Sequence, residues 1–219
     1  KYLELEKIIT KNPMIGISLP KVKKTLPNVL SVKEVDILLD INLIDKYSYR
    51  NKAMLELMYS SGLRISELIN LKIHDINLNM NTLRIIGKGN KERVIYLNKS
   101  CINAINDYLA SRPAPSLIKR DSKNSDKALF LSEQKKRISN RTVQLIITKE
   151  LEAAGLDTKK LSVHKLRHTA ATLMYQYGNV DIRALQELLG HESIATTEIY
   201  THVSNEQVRD AIERNPLNQ

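Results

Sequence analysis

The chain has 219 residues, 42% hydrophobic and 26% charged, values of an ordinary folded domain that exclude wholesale disorder. Lys and Arg number 34 against 24 Asp and Glu, a net charge of +10, which points to a polyanionic partner, most often nucleic acid. One cysteine, Cys101, excludes an intrachain disulfide and a cysteine-held metal. No apolar run reaches the 18 or so residues of a spanning helix.

The basic excess sits in residues 1–30 and 111–150, whereas 151–219 is net acidic. Aromatic residues make up only 5%, with no Trp and one Phe. Contact with a duplex backbone therefore fits better than base stacking on an aromatic platform. The first ten residues are charged and lack the apolar core of a signal peptide. The chain opens on Lys1 rather than Met, which suggests a piece of a longer protein; a cytoplasmic, nucleoid-associated location is expected.

Residues 1–27 read as the last turns of an upstream domain and a linker, punctuated by Pro13, Pro20 and Pro27. The main domain is expected over 28–204, and a C-terminal tail over 205–219. Ser31 and Glu34 have the spacing of a capping box, and Val35, Leu38 and Leu39 form the apolar stripe of a first helix. A second helix is expected from Ser48 to Tyr59, stopped by Ser60-Ser61-Gly62, and a shorter one near Ile65. Helical spacing then gives way to strands over Thr82–Ile86 and Arg93–Leu97, rich in β-branched residues. Gly87-Lys88-Gly89-Asn90-Lys91 turns between them, and Ile73–Ile76 is the candidate third strand. A helix over Ser100–Ala110 follows, then a surface loop over 111–127 with a Pro-rich start. Ala128–Leu131 reads as a strand and Ser139–Ala154 as a helix ending at Gly155. The rest is helical, over 163–177, 181–189, 194–203 and 204–214. The fold class is mainly α (α+β), with a small three-stranded antiparallel sheet.

Residues 163–203 are the richest in chemistry. On a helix starting near Ser162, the 3.6-residue period puts Leu166, Ala170, Leu173 and Tyr177 on an apolar side. The same period places His164, Arg167 and His168 off that buried stripe. His164 falls in the first turn, where free N–H groups favour an anion. A zinc held by His164 and His168 lacks the acidic residue of a His-Glu-x-x-His arrangement, so no metal is expected. His191 follows Gly190 at the end of the next helix, and Tyr200 lies nine residues further on.

Taken together, His164-Lys165-Leu166-Arg167-His168, Leu189-Gly190-His191 and Ile199-Tyr200-Thr201-His202-Val203 resemble the signature of the tyrosine recombinases, the phage-type integrases, with the Xer-like members nearest. Ser61-Gly62-Leu63-Arg64-Ile65-Ser66-Glu67-Leu68 is similar to the box holding that family's first arginine. Gly87-Lys88-Gly89-Asn90-Lys91-Glu92-Arg93 is similar to its lysine hairpin. Five boxes in order make the resemblance specific, although each alone is common.

The resemblance implies catalytic residues Arg64, Lys88, His164, Arg167, His191 and Tyr200, with Glu67 orienting the site. The chemistry suits them. Attack on a phosphodiester builds a second negative charge, which fixed donors must stabilise. Arg64 and Arg167 are permanently charged and bidentate toward phosphate, and His191 adds a hydrogen bond. Tyr200 is the nucleophile, His164 its general base, and Lys88 the acid for the departing 5′-oxygen. The product would be a 3′-phosphotyrosine that stores the bond energy, with no cofactor, ATP or metal called for. The implied partners are double-stranded DNA and a homo- or hetero-tetramer assembled on two DNA sites, exchanging strands through a Holliday junction, with no membrane. The 205–219 tail would dock on a neighbouring protomer. Two other readings share the residues: a type IB-like topoisomerase, and a non-enzymatic DNA-binding accessory protein.

Overall fold

The computed structural model describes residues 2–13, 15–16, 29–114, 127–158, 162–178, 180–190 and 197. A short helix α1 (Tyr2–Leu5) stands at the start, followed after residue 30 by α2 (Val32–Leu39), α3 (Lys46–Ser61) and α4 (Ile65–Asn70). Strands β1 (Ile76–Asn77), β2 (Thr82–Ile86) and β3 (Glu92–Tyr96) come next, then α5 (Lys99–Ser111), α6 (Asn140–Ala153), α7 (Val163–Tyr177) and α8 (Ile182–Leu189). The expected class, helices with a three-stranded antiparallel sheet, is what forms. Among the described residues no helix is long and apolar enough to cross a membrane.

The capping chemistry explains the helix starts. Ser31 and Glu34 close the expected box on α2, with the Ser31 N–H donating to Glu34 Oε2 at 2.7 Å. A second box, Asp45 with Ser48, starts α3. The residue read as the first of that helix, Ser48, is therefore its third, and α3 begins at Lys46.

Helix α3 is the centre of the core. Ala53, Met54, Leu55, Leu57 and Met58 are all buried, and the helix packs against α2, α5 and α7. A helix buried on every side over residues 53–58 has to be surrounded by others. Its buried polar residues are all engaged. Arg50 donates to the Leu131 carbonyl at 3.1 Å, and Glu56 accepts from Ser100 Oγ at 2.8 Å and pairs with Lys52 at 3.1 Å. The Leu30 N–H donates to Thr169 Oγ1 at 3.0 Å, tying the entry of the chain to α7.

The sheet has the order β1-β2-β3, with Thr82 opposite Tyr96 and Ile86 opposite Glu92. Leu83, Ile85 and Ile95 face the core, while Ile86, Val94 and Tyr96 are exposed. The third strand is Ile76–Asn77, since Ile73–Asp75 forms a 3-10 turn.

Two further expectations are corrected. Ala128–Leu131 is not a strand; it makes one isolated bridge at each end, to Lys72 and to Arg137. All four residues are buried, and side chains satisfy much of their backbone. Tyr108 Oη donates to the Leu129 carbonyl and accepts from the Leu131 N–H, both at 3.2 Å, and Arg112 reaches the Ala128 and Leu129 carbonyls. On α7, Leu166, Ala170 and Leu173 are buried as the period requires, but Tyr177 is exposed and Arg167 is buried. The helix is flanked by both α3 and α8, which widens its buried arc beyond one stripe. The helices expected over 194–203 and 204–214, and most of the 111–127 loop, lie outside the described residues.

Candidate active site

Arg64 is the N-cap residue of α4 and Glu67 its third residue. That spacing returns the Glu67 carboxylate onto Arg64: Oε2 accepts from the Arg64 N–H at 2.9 Å and Oε1 from Nη1 at 3.1 Å. The two residues meet although Arg64 is extended and stands just outside the helix, because the capping-box spacing folds the Glu67 side chain back onto it. Glu67 is 96% buried at its side chain, whereas 36% of the Arg64 side chain is exposed. The guanidinium therefore keeps an open side toward solvent while its base is held.

A second arginine completes the Glu67 environment. Arg93 of β3 donates Nη1 and Nη2 to the two carboxylate oxygens, each at 3.0 Å, in a parallel fork. Burial pushes the Glu67 carboxyl up, but the Arg93 hydrogen bonds, the Arg64 N–H and the two positive charges outweigh it and hold the group below the ordinary carboxylate range.

Three arginines converge on the last turn of α8. Arg93 Nε donates to the Leu188 carbonyl at 3.0 Å. Arg64 reaches Leu189 O at 3.3 Å and Gly190 O at 3.2 Å. Buried Arg167 donates Nη2 to Leu189 O at 2.7 Å and Nη1 to Gly62 O, the carbonyl at the end of α3. A helix C-terminus exposes carbonyls without partners and carries partial negative charge, so cations belong there. Gly190 caps α8 in the left-handed conformation, at φ +63°. A β-carbon on it would lie 3.0 Å from Arg93 Nη1. Gly62, also left-handed, is in similar close contact: its β-carbon would meet Leu189 Cδ2 at 2.8 Å. The two glycines let α3 and α8 close on the arginines. Apolar support comes from Ala171, Leu185 and Leu189 between α7 and α8.

The hairpin between β2 and β3 turns through Lys88–Asn90 and is closed by the Gly87 N–H on the Lys91 carbonyl at 2.8 Å. Lys88 stands at its tip; its side chain is outside the described structure. Its neighbour Gly87 borders Glu67 along a cavity of about 790 Å³ that also meets Lys72, Arg137 and Ser139. His164 is exposed on the first turn of α7. His168, half-buried one turn later, is pushed below the usual histidine range by burial and by the Arg167 and His164 charges. Of the expected site residues, Arg64, Glu67 and Arg167 are brought together, and Lys88 and His164 are carried on elements beside them. His191 and Tyr200 lie outside the described residues; His191 directly follows the clamped turn of α8. Arg93 was missed as a member of the site. Its residue type lay within the hairpin box, but its partner is 26 residues away in sequence.

A model of the phage integrase family matches residues 28–207. The chain belongs to the phage integrase family. It is 50% identical over 214 residues to the tyrosine recombinase XerC of Caldanaerobacter subterraneus subsp. tengcongensis, covering 97% of this chain and 58% of that protein. It is 40% identical to the tyrosine recombinase XerD of Oceanobacillus iheyensis, covering 96% of this chain and 69% of that one. Among solved structures it is similar to XerA recombinase, at 33% identity and a TM-score of 0.70 over 90% of this chain and 68% of that one. It is also similar to XerH site-specific recombinase bound to its palindromic substrate after cleavage, at 26% identity and a TM-score of 0.73 over 91% of this chain and 58% of that one. The chain thus spans a little over half the length of the XerC relative.

Proposed function

We propose that this integrase-family chain is the catalytic domain of a site-specific recombinase that cuts and rejoins double-stranded DNA through a 3′-phosphotyrosine. The observation that carries the reading is the meeting of Arg64 and Arg167 at the α8 terminus. Two permanent cations from segments about a hundred residues apart are fixed side by side, next to the residue that leads into His191. Such preorganised donors suit a phosphoryl transition state, where stabilisation of developing charge supplies most of the rate. Identity to proteins named tyrosine recombinases supports the same reading.

In this mechanism Arg64 and Arg167 bind the non-bridging oxygens of the scissile phosphate and His191 adds a donor. His164 accepts the Tyr200 phenol proton as the phenolate oxygen attacks phosphorus. The bond to the 5′-oxygen breaks, and Lys88 gives that oxygen its proton. Glu67 acts through Arg64 by holding its guanidinium. The 5′-hydroxyl of a second duplex then attacks the phosphotyrosine, which returns Tyr200 and completes strand exchange. Residues 1–27 join an upstream DNA-clamping domain, 28–204 hold the catalytic machinery, and 205–219 dock on the next protomer of a tetramer built on two DNA sites.

The test uses the full-length protein and a plasmid carrying two copies of a duplex selected for its binding. Deletion or inversion of the intervening segment in the presence of chelator is the expected result. Loss of supercoils without exchange would indicate a topoisomerase, and binding without strand breakage an accessory protein.

A further inference from the structure

Arg93 has a position that none of the assigned roles explains. It sits on β3 on the core side of the sheet, three residues after the turn that carries Lys88. Only 13% of its side chain is exposed. Three donors are committed in two directions, two to the Glu67 carboxylate on α4 and one to the Leu188 carbonyl on α8. The returning strand of the hairpin is therefore bolted to both elements of the arginine cluster at once. The opposite root of the hairpin is equally close, since a β-carbon on Gly87 would lie 3.5 Å from Arg93 Nη1 and 3.6 Å from Glu67 Oε1.

Helix α8 does not depend on this bolt alone, because Arg64 and Arg167 hold its next two carbonyls. The hairpin depends on it more. Beyond the last ladder pair, Ile86 with Glu92, the tip is closed on itself by the Gly87 N–H on the Lys91 carbonyl, and Arg93 ties the base of the turn to the carboxylate that also holds Arg64.

We propose that Arg93 is a positioning residue that sets the register of the Lys88 hairpin against the phosphate-binding arginines, and so acts on protonation of the departing 5′-oxygen rather than on DNA binding. The proposal rests on the recombinase reading above. A planar fork that bridges a carboxylate while its Nε reaches a carbonyl has no equivalent in lysine, a single point charge. Misplacement of an acid by an ångström costs about a hundredfold in rate.

The experiment measures single-turnover formation of the covalent adduct by the full-length protein on nicked duplexes. One duplex has the normal 5′-oxygen at the scissile bond and the other a bridging 5′-sulfur. A thiolate is a good leaving group and needs no acid. Arg93→Gln is expected to lose about a hundredfold on the oxygen substrate and only a few-fold on the sulfur substrate, with duplex affinity within a few-fold of the parent. Arg93→Lys is expected to behave like Arg93→Gln. Because both rates come from one preparation, their ratio does not depend on the fraction of folded protein, and Arg93→Lys serves where Arg93→Gln folds poorly. Equal losses on the two substrates, or no loss on either, overturn the positioning role. A parent protein that forms no adduct on either substrate overturns the recombinase reading itself, a separate result.

Discussion

At the residue scale the site is built from permanent charges whose placement is over-determined. Arg64 uses its own backbone N–H, its Nη1 and its Nη2 on Glu67 and two α8 carbonyls, yet keeps an exposed side toward solvent. Removing one such donor in comparable sites costs about 10²–10³ in rate. Arg64→Gln is thus expected to slow adduct formation by about that factor while duplex affinity changes by less than tenfold, measured as single-turnover cleavage beside a binding titration. Glu67 is the counterweight. Its carboxyl is held below its ordinary value in the fold, so the unfolded chain binds the proton more readily and stability rises with pH through that window. The stabilisation is complete above the unfolded carboxylate pKa and is lost as pH falls through the lower folded value. Denaturant titrations between neutral pH and the acid carboxylate range are expected to show this decline. Glu67→Gln, with its paired arginines uncompensated, should be destabilised at neutral pH and show a flatter decline. An equal slope in both proteins would contradict the assigned pairing.

At the element scale α8 is the informative piece. It is short, packs its apolar face on α7 through Leu185 and Leu189, and offers its last carbonyls to three arginines. Gly190→Ala puts a β-carbon at a left-handed position and 3.0 Å from the Arg93 guanidinium, a strain of about 1–3 kcal/mol. The expected outcome is faster hydrogen exchange at the α8 amides and a loss in cleavage rate larger than the loss in overall stability. Unchanged exchange in α8 would contradict the close approach. Elements with a local cause were legible in the sequence. The Ser31–Glu34 box starts α2, the β-branched run over Thr82–Ile86 is a strand at those bounds, and Val163–Tyr177 is a helix at those bounds. What the sequence concealed depends on distant partners. Ala128–Leu131 has strand composition, but Tyr108, Arg112 and Arg50 hold its carbonyls from other helices. Arg167 lies at the margin of one apolar stripe and is buried because a second helix, α8, covers it.

At the scale of the whole molecule, a core centred on α3 carries a site assembled from four separate stretches: α4, the β2–β3 hairpin, α7 and the end of α8. Leu57 is fully buried in that core, so Leu57→Ala is expected to cost about 2–5 kcal/mol in denaturant unfolding. The oxygen-to-sulfur rate ratio should not change, which separates core stability from site geometry. The order of the boxes along the chain was enough to name Arg64, Glu67 and Arg167 together before any contact was known. Arg93 was not named, because a strand residue facing inward reads as a sheet position until its carboxylate partner is seen. The measurement that tests the central claim most directly is covalent trapping. The full-length protein is incubated in chelator with a nicked duplex that it binds, and the products are separated under denaturing conditions. A protein–DNA band is predicted, with the 3′-phosphate linked to Tyr200, and it should vanish in Tyr200→Phe while binding persists. A band that survives in Tyr200→Phe, or no band from the parent on a duplex it binds, would contradict the account.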